Sequence, residues 1–194
     1  MSRLSDRQLQ IIDAAIELIS EKSIQELTIK NLAKKIGFTE GAVYRHFGSK
    51  TDILLAILNQ FQQDAAQILD KVCTSEKSAP ELIEDIFLHH FRYFTKRPAV
   101  TAVIFSESIF QNESRLSDGV SKLLNMHEEA LSCILKKGQD RGEINKDIRR
   151  QELIRIVIGS IRYTVTSWRI SRFNFDLMQE GKRVVNAIIQ LIKT

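Results

Sequence analysis

Glycine and proline are scarce in this 194-residue chain, which has eight of the first and two of the second. So few turn formers exclude Pro/Gly-rich disorder and a collagen repeat, and they favour long helices over many short strands. Cysteine is nearly absent. Cys73 and Cys133 stand far apart, a spacing that gives neither a disulfide framework nor a zinc signature and suits a reducing cytosol. Long apolar runs are missing. Val100–Phe105 and Ile154–Ile161 are interrupted and far too short to span a bilayer. Residues 1–22 carry Arg3, Asp6, Arg7, Asp13, Glu17, Glu21 and Lys22 where a secretory signal needs an apolar core. Catalytic signatures are missing too: there is no phosphate-binding glycine loop, HExxH, GxSxG or CxxC. The expectation is a protein that is not an enzyme and takes no metal or cofactor.

What is present has the helical period throughout. Leu9, Ile12, Ile16 and Ile19 mark one face of a first helix, with Ser5 and Gln8 as its capping box. A short helix follows from Thr28 to Ile36, with Ile29, Leu32, Ala33 and Ile36 inward and Gly37 as its stop. Thr39 caps a second short helix, Glu40 to Phe47, which Gly48 ends. Ser49, with Asp52 three residues on, caps a longer helix to about Cys73. Residues 74–80 are polar and end in Pro80, a loop by composition. The pattern then predicts helices over residues 81–96, 112–137, 149–172 and 176–193, with a short apolar piece at 98–110 and a polar stretch at 111–119.

Residues 28–47 read TIKNLAKKIGFTEGAVYRHF. Two short helices meeting at a glycine-containing turn form the helix-turn-helix pattern, whose second helix enters the DNA major groove. Ile29, Leu32, Ala33, Ile36, Phe38, Val43 and Phe47 can make one small core, leaving Lys30, Lys34, Lys35, Thr39, Glu40, Tyr44, Arg45, His46 and Lys50 on the polar face. From Lys30 to Lys50 there are five Lys/Arg against one acid. That local excess equals the net charge of the whole chain, +4, and it gives phosphate affinity through counterion release.

Residues 27–55, LTIKNLAKKIGFTEGAVYRHFGSKTDILL, resemble the N-terminal signature of the tetracycline-repressor (TetR) family. Thr28, Ala33, Gly37, the run Tyr44-Arg45-His46-Phe47, Lys50 and Leu54 carry the resemblance, which with the first helix covers residues 6–60. One departure is Ser23, where the family usually ends its first helix on Gly; a left-handed Ser there would cost about 1 kcal/mol. The resemblance implies that Thr28, Tyr44 and Lys50 hold DNA phosphates and that His46 lies near the backbone. It places Thr39, Glu40, Gly41 and Ala42 where base edges are read. Ala42 could then touch a thymine methyl and Glu40 accept from cytosine, though Glu40 at a helix N-terminus also simply complements the dipole. Arg45 is a base reader, a phosphate contact or a solvated side chain.

Beyond residue 80 the large aromatics gather. Five of ten phenylalanines (Phe87, Phe91, Phe94, Phe105 and Phe110) fall between residues 81 and 111. Such a stripe packs a core or, as the resemblance implies, lines a hollow bundle for an effector, with His90, His127, Tyr163 and Trp168 as polar or mixed contacts. His89 and His90 are adjacent, so they point about 100° apart and cannot share a metal. The last two helices are apolar over a wide arc and need partners on more than one side. Val157, Ile161, Val165, Val184, Val185, Ile188 and Ile192 are the expected homodimer interface, which the resemblance favours as a four-helix arrangement; the alternative is burial within the monomer.

The fold expected is all-α with about nine helices. A three-helix, helix-turn-helix DNA-binding domain (residues 1–50) joins through a fourth helix to a ligand-binding and dimerisation bundle (residues 51–194). The function implied by the resemblance is a cytoplasmic, nucleoid-associated transcriptional repressor. It would bind double-stranded DNA at a palindromic operator as a homodimer, and a small lipophilic effector would release it. The alternative is a DNA-bound protein whose C-terminal bundle docks another protein. No membrane partner is expected.

Overall fold

Ser5, Thr28, Thr39 and Ser49 each end one stretch of chain and open a helix with a side-chain oxygen. Ser5 accepts from the N–H of Gln8, whose own side chain returns to the Ser5 N–H, a complete capping box. Thr28 and Thr39 accept from the N–H groups of Asn31 and Ala42, each at 3.1 Å. Ser49 does the same for Asp52 at 3.2 Å. Each bond satisfies one of the donors a helix leaves orphaned at its start.

The computed structural model describes residues 4–105 and 113–194, and is all-α. Its helices are α1 Asp6–Glu21, α2 Ile29–Ile36, α3 Glu40–Tyr44, α4 Lys50–Leu69, α5 Ala79–Lys96, α6 Val100–Ile104, α7 Ser114–Asp140, α8 Arg150–Ile170 and α9 Leu177–Ile192. Among the described residues no helix is long and apolar enough to cross a membrane. These residues fall into two compact units. One is Met1–Phe61 with Arg97–Val120; the other is Gln62–Lys96 with Ser121–Thr194.

In the first unit α1 buries Ile11, Ile12, Ala15, Leu18 and Ile19. This face is rotated from the expected one: Leu9 is exposed and Ile16 half-buried, because residues 11, 12, 15, 18 and 19 make the tighter helical stripe. Helix α1 ends without a left-handed residue. The Lys22 N–H closes onto the Leu18 carbonyl, and among the described residues the non-glycines with positive φ are Arg172 and Phe173. Ser23 therefore escapes the strain expected of it. Gly37 does take the left-handed conformation, φ 70°, and ends α2. Helix α3 stops at Tyr44, three residues short of expectation. The chain continues as a turn in which His46 and Phe47 donate to the Val43 carbonyl. Helix α4 ends at Leu69 and passes into turns, so Cys73 lies outside it.

Helix α7 starts at Ser114, so part of the polar stretch 111–119 is helical. Thr51 donates to the Glu113 carboxylate at 3.1 Å, and Arg115 pairs with Asp52 at 2.7 Å. The Arg115 guanidinium, foremost, holds the Asp52 carboxyl below the usual carboxylate range. At Gly119 a Cβ would run into the Leu58 side chain, so these two helices approach closely there.

In the second unit α5 begins at Ala79, two residues early, behind a Ser78–Glu81 capping box. Pro80 fits its first turn, where a missing N–H costs nothing. Phe87, Phe91 and Phe94 are fully buried along it. Asp176 caps α9 through the N–H groups of Met178 and Gln179. Helix α9 lies against α5 so closely that a Cβ on Gly181 would overlap the Phe91 ring. Cys73 and Cys133, 60 residues apart, meet as a disulfide with Cα atoms 5.9 Å apart. Their spacing alone gave no sign of this.

Candidate nucleic-acid interface and bundle core

The interface starts from a small apolar centre. Leu32 and Val43 are fully buried, with Ala33 and Phe47 nearly so, which fixes α3 against α2. Helix α1 braces the pair. Lys35 reaches Glu21 at 2.8 Å and Glu17 at 3.4 Å, the Arg7 guanidinium lies over the Phe38 ring at 5.3 Å, and Gln8 donates to the His46 carbonyl. Lys35, counted in the basic patch from sequence, is therefore spent on two acids, and the bond to Glu21 foremost raises its pKa. Lys30, Lys34 and Arg45 remain exposed.

Helix α3 turns its N-terminal edge to solvent. Thr39, Glu40 and Gly41 are exposed and Ala42 half-buried, so these four residues form one accessible ridge. Tyr44, 52% exposed, and Arg45 flank it at one end. Thr28 is exposed at the start of α2, and His46 is half-buried in the turn after α3. Lys50 is half-buried: its ammonium donates to the Ile24 carbonyl at 2.8 Å, and burial lowers its pKa. That bond aims the side chain while leaving two N–H donors.

The expected effector contacts divide. Phe87, His90, Phe91 and Phe94 share the buried face of α5, with Phe87 and Phe91 edge-on at 5.7 Å. His127 on α7 meets His90, ring centroids 4.8 Å apart. Each histidine turns Nδ1 to the carbonyl one helical turn back, Ile86 at 2.6 Å and Leu123 at 2.7 Å. Carbonyls only accept, so both Nδ1 atoms carry hydrogen. The two Nε2 atoms then meet at 2.7 Å. Burial, followed by the neighbouring His127 charge, pushes His90 down to about 3; burial also lowers His127. Nearby, His89 donates through Nε2 to the Asp64 carboxylate at 2.7 Å. Among the described residues no group of three or more His, Cys, Asp or Glu is placed to hold a metal.

Other expected contacts lie elsewhere. Trp168 is buried and donates to the Phe175 carbonyl at 3.0 Å. Tyr163 is 76% exposed, on the outer side of α8, so it does not line this interior. Phe105 belongs to the first unit, and Phe110 lies outside the described residues. The pairings His90–His127, Thr51–Glu113 and Asp52–Arg115 were missed from sequence. Each joins residues 37 to 63 apart, and no local pattern announces such a contact.

The expected dimer residues are mostly interior. Val157, Ile161, Val165, Val185, Ile188 and Ile192 are buried within the chain itself, and Val184 is half-buried. The large apolar residues that α8 and α9 leave exposed are Ile156, Tyr163, Ile170 and Leu191.

Residues 11–57 match the model of bacterial regulatory proteins, tetR family, and residues 44–191 match that of the YsiA-like protein, C-terminal region. The chain is 23% identical over 189 residues to the fatty acid metabolism regulator protein of Bacillus subtilis (strain 168), with 97% of each covered. It is 27% identical over 139 residues to the nucleoid occlusion factor SlmA of Actinobacillus pleuropneumoniae serotype 5b (strain L20), covering 71% of this chain and 69% of that protein. The crystal structure of FadR from Bacillus subtilis in complex with stearoyl-CoA shares the fold at a TM-score of 0.79 and 23% identity, over 93% of this chain and 97% of that one. With its helix-turn-helix and its C-terminal region both matched, the chain belongs to the tetR family of DNA-binding bacterial transcription regulators.

Proposed function

We propose that the protein is a homodimeric repressor that binds a palindromic operator on the bacterial nucleoid and is released by a small lipophilic effector. The observation that carries the DNA half is the exposed ridge Thr39–Ala42 beside Thr28, Tyr44 and Lys50. A ridge of small side chains suits entry into the major groove, and its flanks carry donors for phosphate. Arg45 and His46 extend that flank. Residues 1–50 serve as the reading module and residues 51–194 as the effector and dimerisation part. One ridge reads too few base pairs to single out a site in a genome, so a two-fold pair is the economical solution.

The effector half rests on chemistry within the second unit. Phe87, Phe91 and Phe94 offer apolar area, and His90 with His127 offers the polar point that would orient a ligand. A lipophilic class is supported by the likeness to a fatty acid metabolism regulator of Bacillus subtilis and to a Bacillus subtilis structure that holds stearoyl-CoA. Dimerisation uses the outer sides of α8 and α9. Ile156, Gly159, Tyr163 and Ile170 recur at helical spacing on α8, as do Val184, Ala187 and Leu191 on α9.

The test is to select genomic fragments bound by the purified protein and then titrate the recovered operator with long-chain acyl-CoA, free fatty acids and unrelated lipophilic compounds. A palindromic consensus and release by at least one class is the expected result. Operator binding that no such compound alters, with a host protein captured through the bundle, would replace the effector reading with protein docking.

A further inference from the structure

Two helices, α4 and α7, are joined at two places. At their first turns the joint is polar: Thr51 to Glu113 and Asp52 to Arg115. The other joint is covalent. Cys73, in the turns after α4, pairs with Cys133 in the body of α7, their Cα atoms 5.9 Å apart, well inside the range that a disulfide bridges without backbone movement. Cys73 is exposed and Cys133 half-buried, so small oxidants and thiols can reach the pair. Lys137, one turn beyond Cys133, donates its ammonium to the Cys73 carbonyl. A cation beside a cysteine favours the thiolate, the reactive form.

We propose that Cys73 and Cys133 are an oxidant-responsive pair whose reversible disulfide fixes the end of α4 to α7 and thereby changes operator affinity. A protein that works on the chromosome sits among thiol buffers that keep cysteines reduced, so a bond of this kind is a sensing one and not a permanent staple. The chemistry takes a hydroperoxide. The Cys73 thiolate attacks the distal peroxide oxygen, the O–O bond breaks, and the alkoxide or hydroxide that leaves takes a proton from water. Cys73 is then a sulfenic acid. The Cys133 thiolate attacks its sulfur, the S–O bond breaks, and hydroxide leaves and is protonated to water. Two thiols have lost two electrons, and one peroxide has become an alcohol (or water) and a water. A small thiol restores the pair by exchange through a mixed disulfide. Helix α4 begins at Lys50, part of the proposed phosphate-binding flank, so what grips its far end bears on DNA binding. The regulatory step rests on the DNA-binding reading above; the thiol chemistry does not.

The test uses the full chain, reduced with dithiothreitol, desalted, and treated with hydrogen peroxide or cumene hydroperoxide. The expected result is loss of both titratable thiols, an intact mass lower by two hydrogens, no covalent dimer on a non-reducing gel, and full reversal by dithiothreitol. Operator affinity should differ between the two forms by at least about fivefold, the lower end of ordinary coupling between sites. Cys73→Ser and Cys133→Ser should each bind like the reduced protein with or without peroxide. Oxidation of Cys73 to a sulfinic acid with Cys133 still free, or disulfides between chains, would overturn the pairing. A clean crosslink with equal operator affinity in both forms would overturn the regulatory role. A chain that binds no DNA in either form would refute the proposed function, and mass and thiol counts would still decide the chemistry.

Discussion

His90 and His127 point their Nε2 atoms at each other across 2.7 Å, while each commits its Nδ1 hydrogen to a carbonyl of its own helix. Two neutral rings so arranged turn the same kind of atom, an acceptor nitrogen, toward each other. A proton placed between them would complete the bond but would leave a charge in an apolar interior. The two demands oppose each other, which makes this pair the place where acid should be felt first.

Burial sets the direction. His90 is pushed from 6.5 down to about 3, and His127 is lowered as well. The unfolded chain therefore binds these protons near pH 6.5 while the folded chain refuses them. The stability this lends is present above pH 6.5 and is lost as pH falls from there toward about 3. The slope is up to about 1.4 kcal/mol per pH unit for each refused proton. Urea denaturation at pH 7 and pH 5 should show the loss. It should be smaller in a His127→Phe variant, which removes one of the two refusing groups; equal losses in both proteins would show that the pair is not the acid-sensitive element.

Tyr44 and Lys50 separate two kinds of phosphate contact. Tyr44→Ala should weaken binding to all operator sequences alike and leave the salt dependence unchanged, because a phenol displaces no counterion. Lys50→Ala should also weaken binding across sequences, and should flatten the slope of log affinity against log salt by about 0.9. Lys50 also bonds the Ile24 carbonyl, so thermal melting must accompany the titration. An unchanged salt slope in Lys50→Ala would remove Lys50 from the interface.

The two sides of α8 and α9 should respond oppositely to charge. Ile156→Glu and Leu191→Glu place a carboxylate on exposed positions, and they should give folded monomers by light scattering if those sides form the dimer. Val157→Glu and Ile188→Glu bury an unpaired charge inside the chain and should abolish folding altogether. Dimers that survive both outer substitutions would move the interface elsewhere.

Much of the first unit was legible because its signals are local. A cap reads its own next three residues, so Ser5, Thr39 and Ser49 could be placed from sequence, and Gly37 announced its left-handed turn. The ridge Thr39–Ala42 follows from those caps. What sequence could not supply is partnership over distance. Lys35 looked like a free cation until the fold brought Glu21 to it. Val157 and Ile188 looked like dimer contacts because an apolar stripe says that a face is covered but not by what. Helix α5 within the same chain covers part of α9, as Gly181 against Phe91 shows.

Glycine gives the sharpest separation of stability from function. Gly181 and Gly41 both lie within helices, where replacing Gly by Ala gains about 1 kcal/mol of helix propensity. At Gly181 the new methyl would overlap the buried Phe91 ring; overpacking costs about 1–3 kcal/mol, which outweighs the gain. Gly181→Ala should therefore lower the melting temperature, and Phe91→Leu should recover part of the loss, a coupling that two independent sites would not show. At Gly41 a Cβ meets nothing within 4 Å, so only the gain remains. Gly41→Ala should melt no lower than the parent and yet bind operator more weakly, since the added methyl stands on the ridge proposed to enter the groove. Fluorescence anisotropy and thermal melting on the same preparation check both halves. Undiminished affinity in Gly41→Ala would mean that the N-terminal edge of α3 does not face the bases.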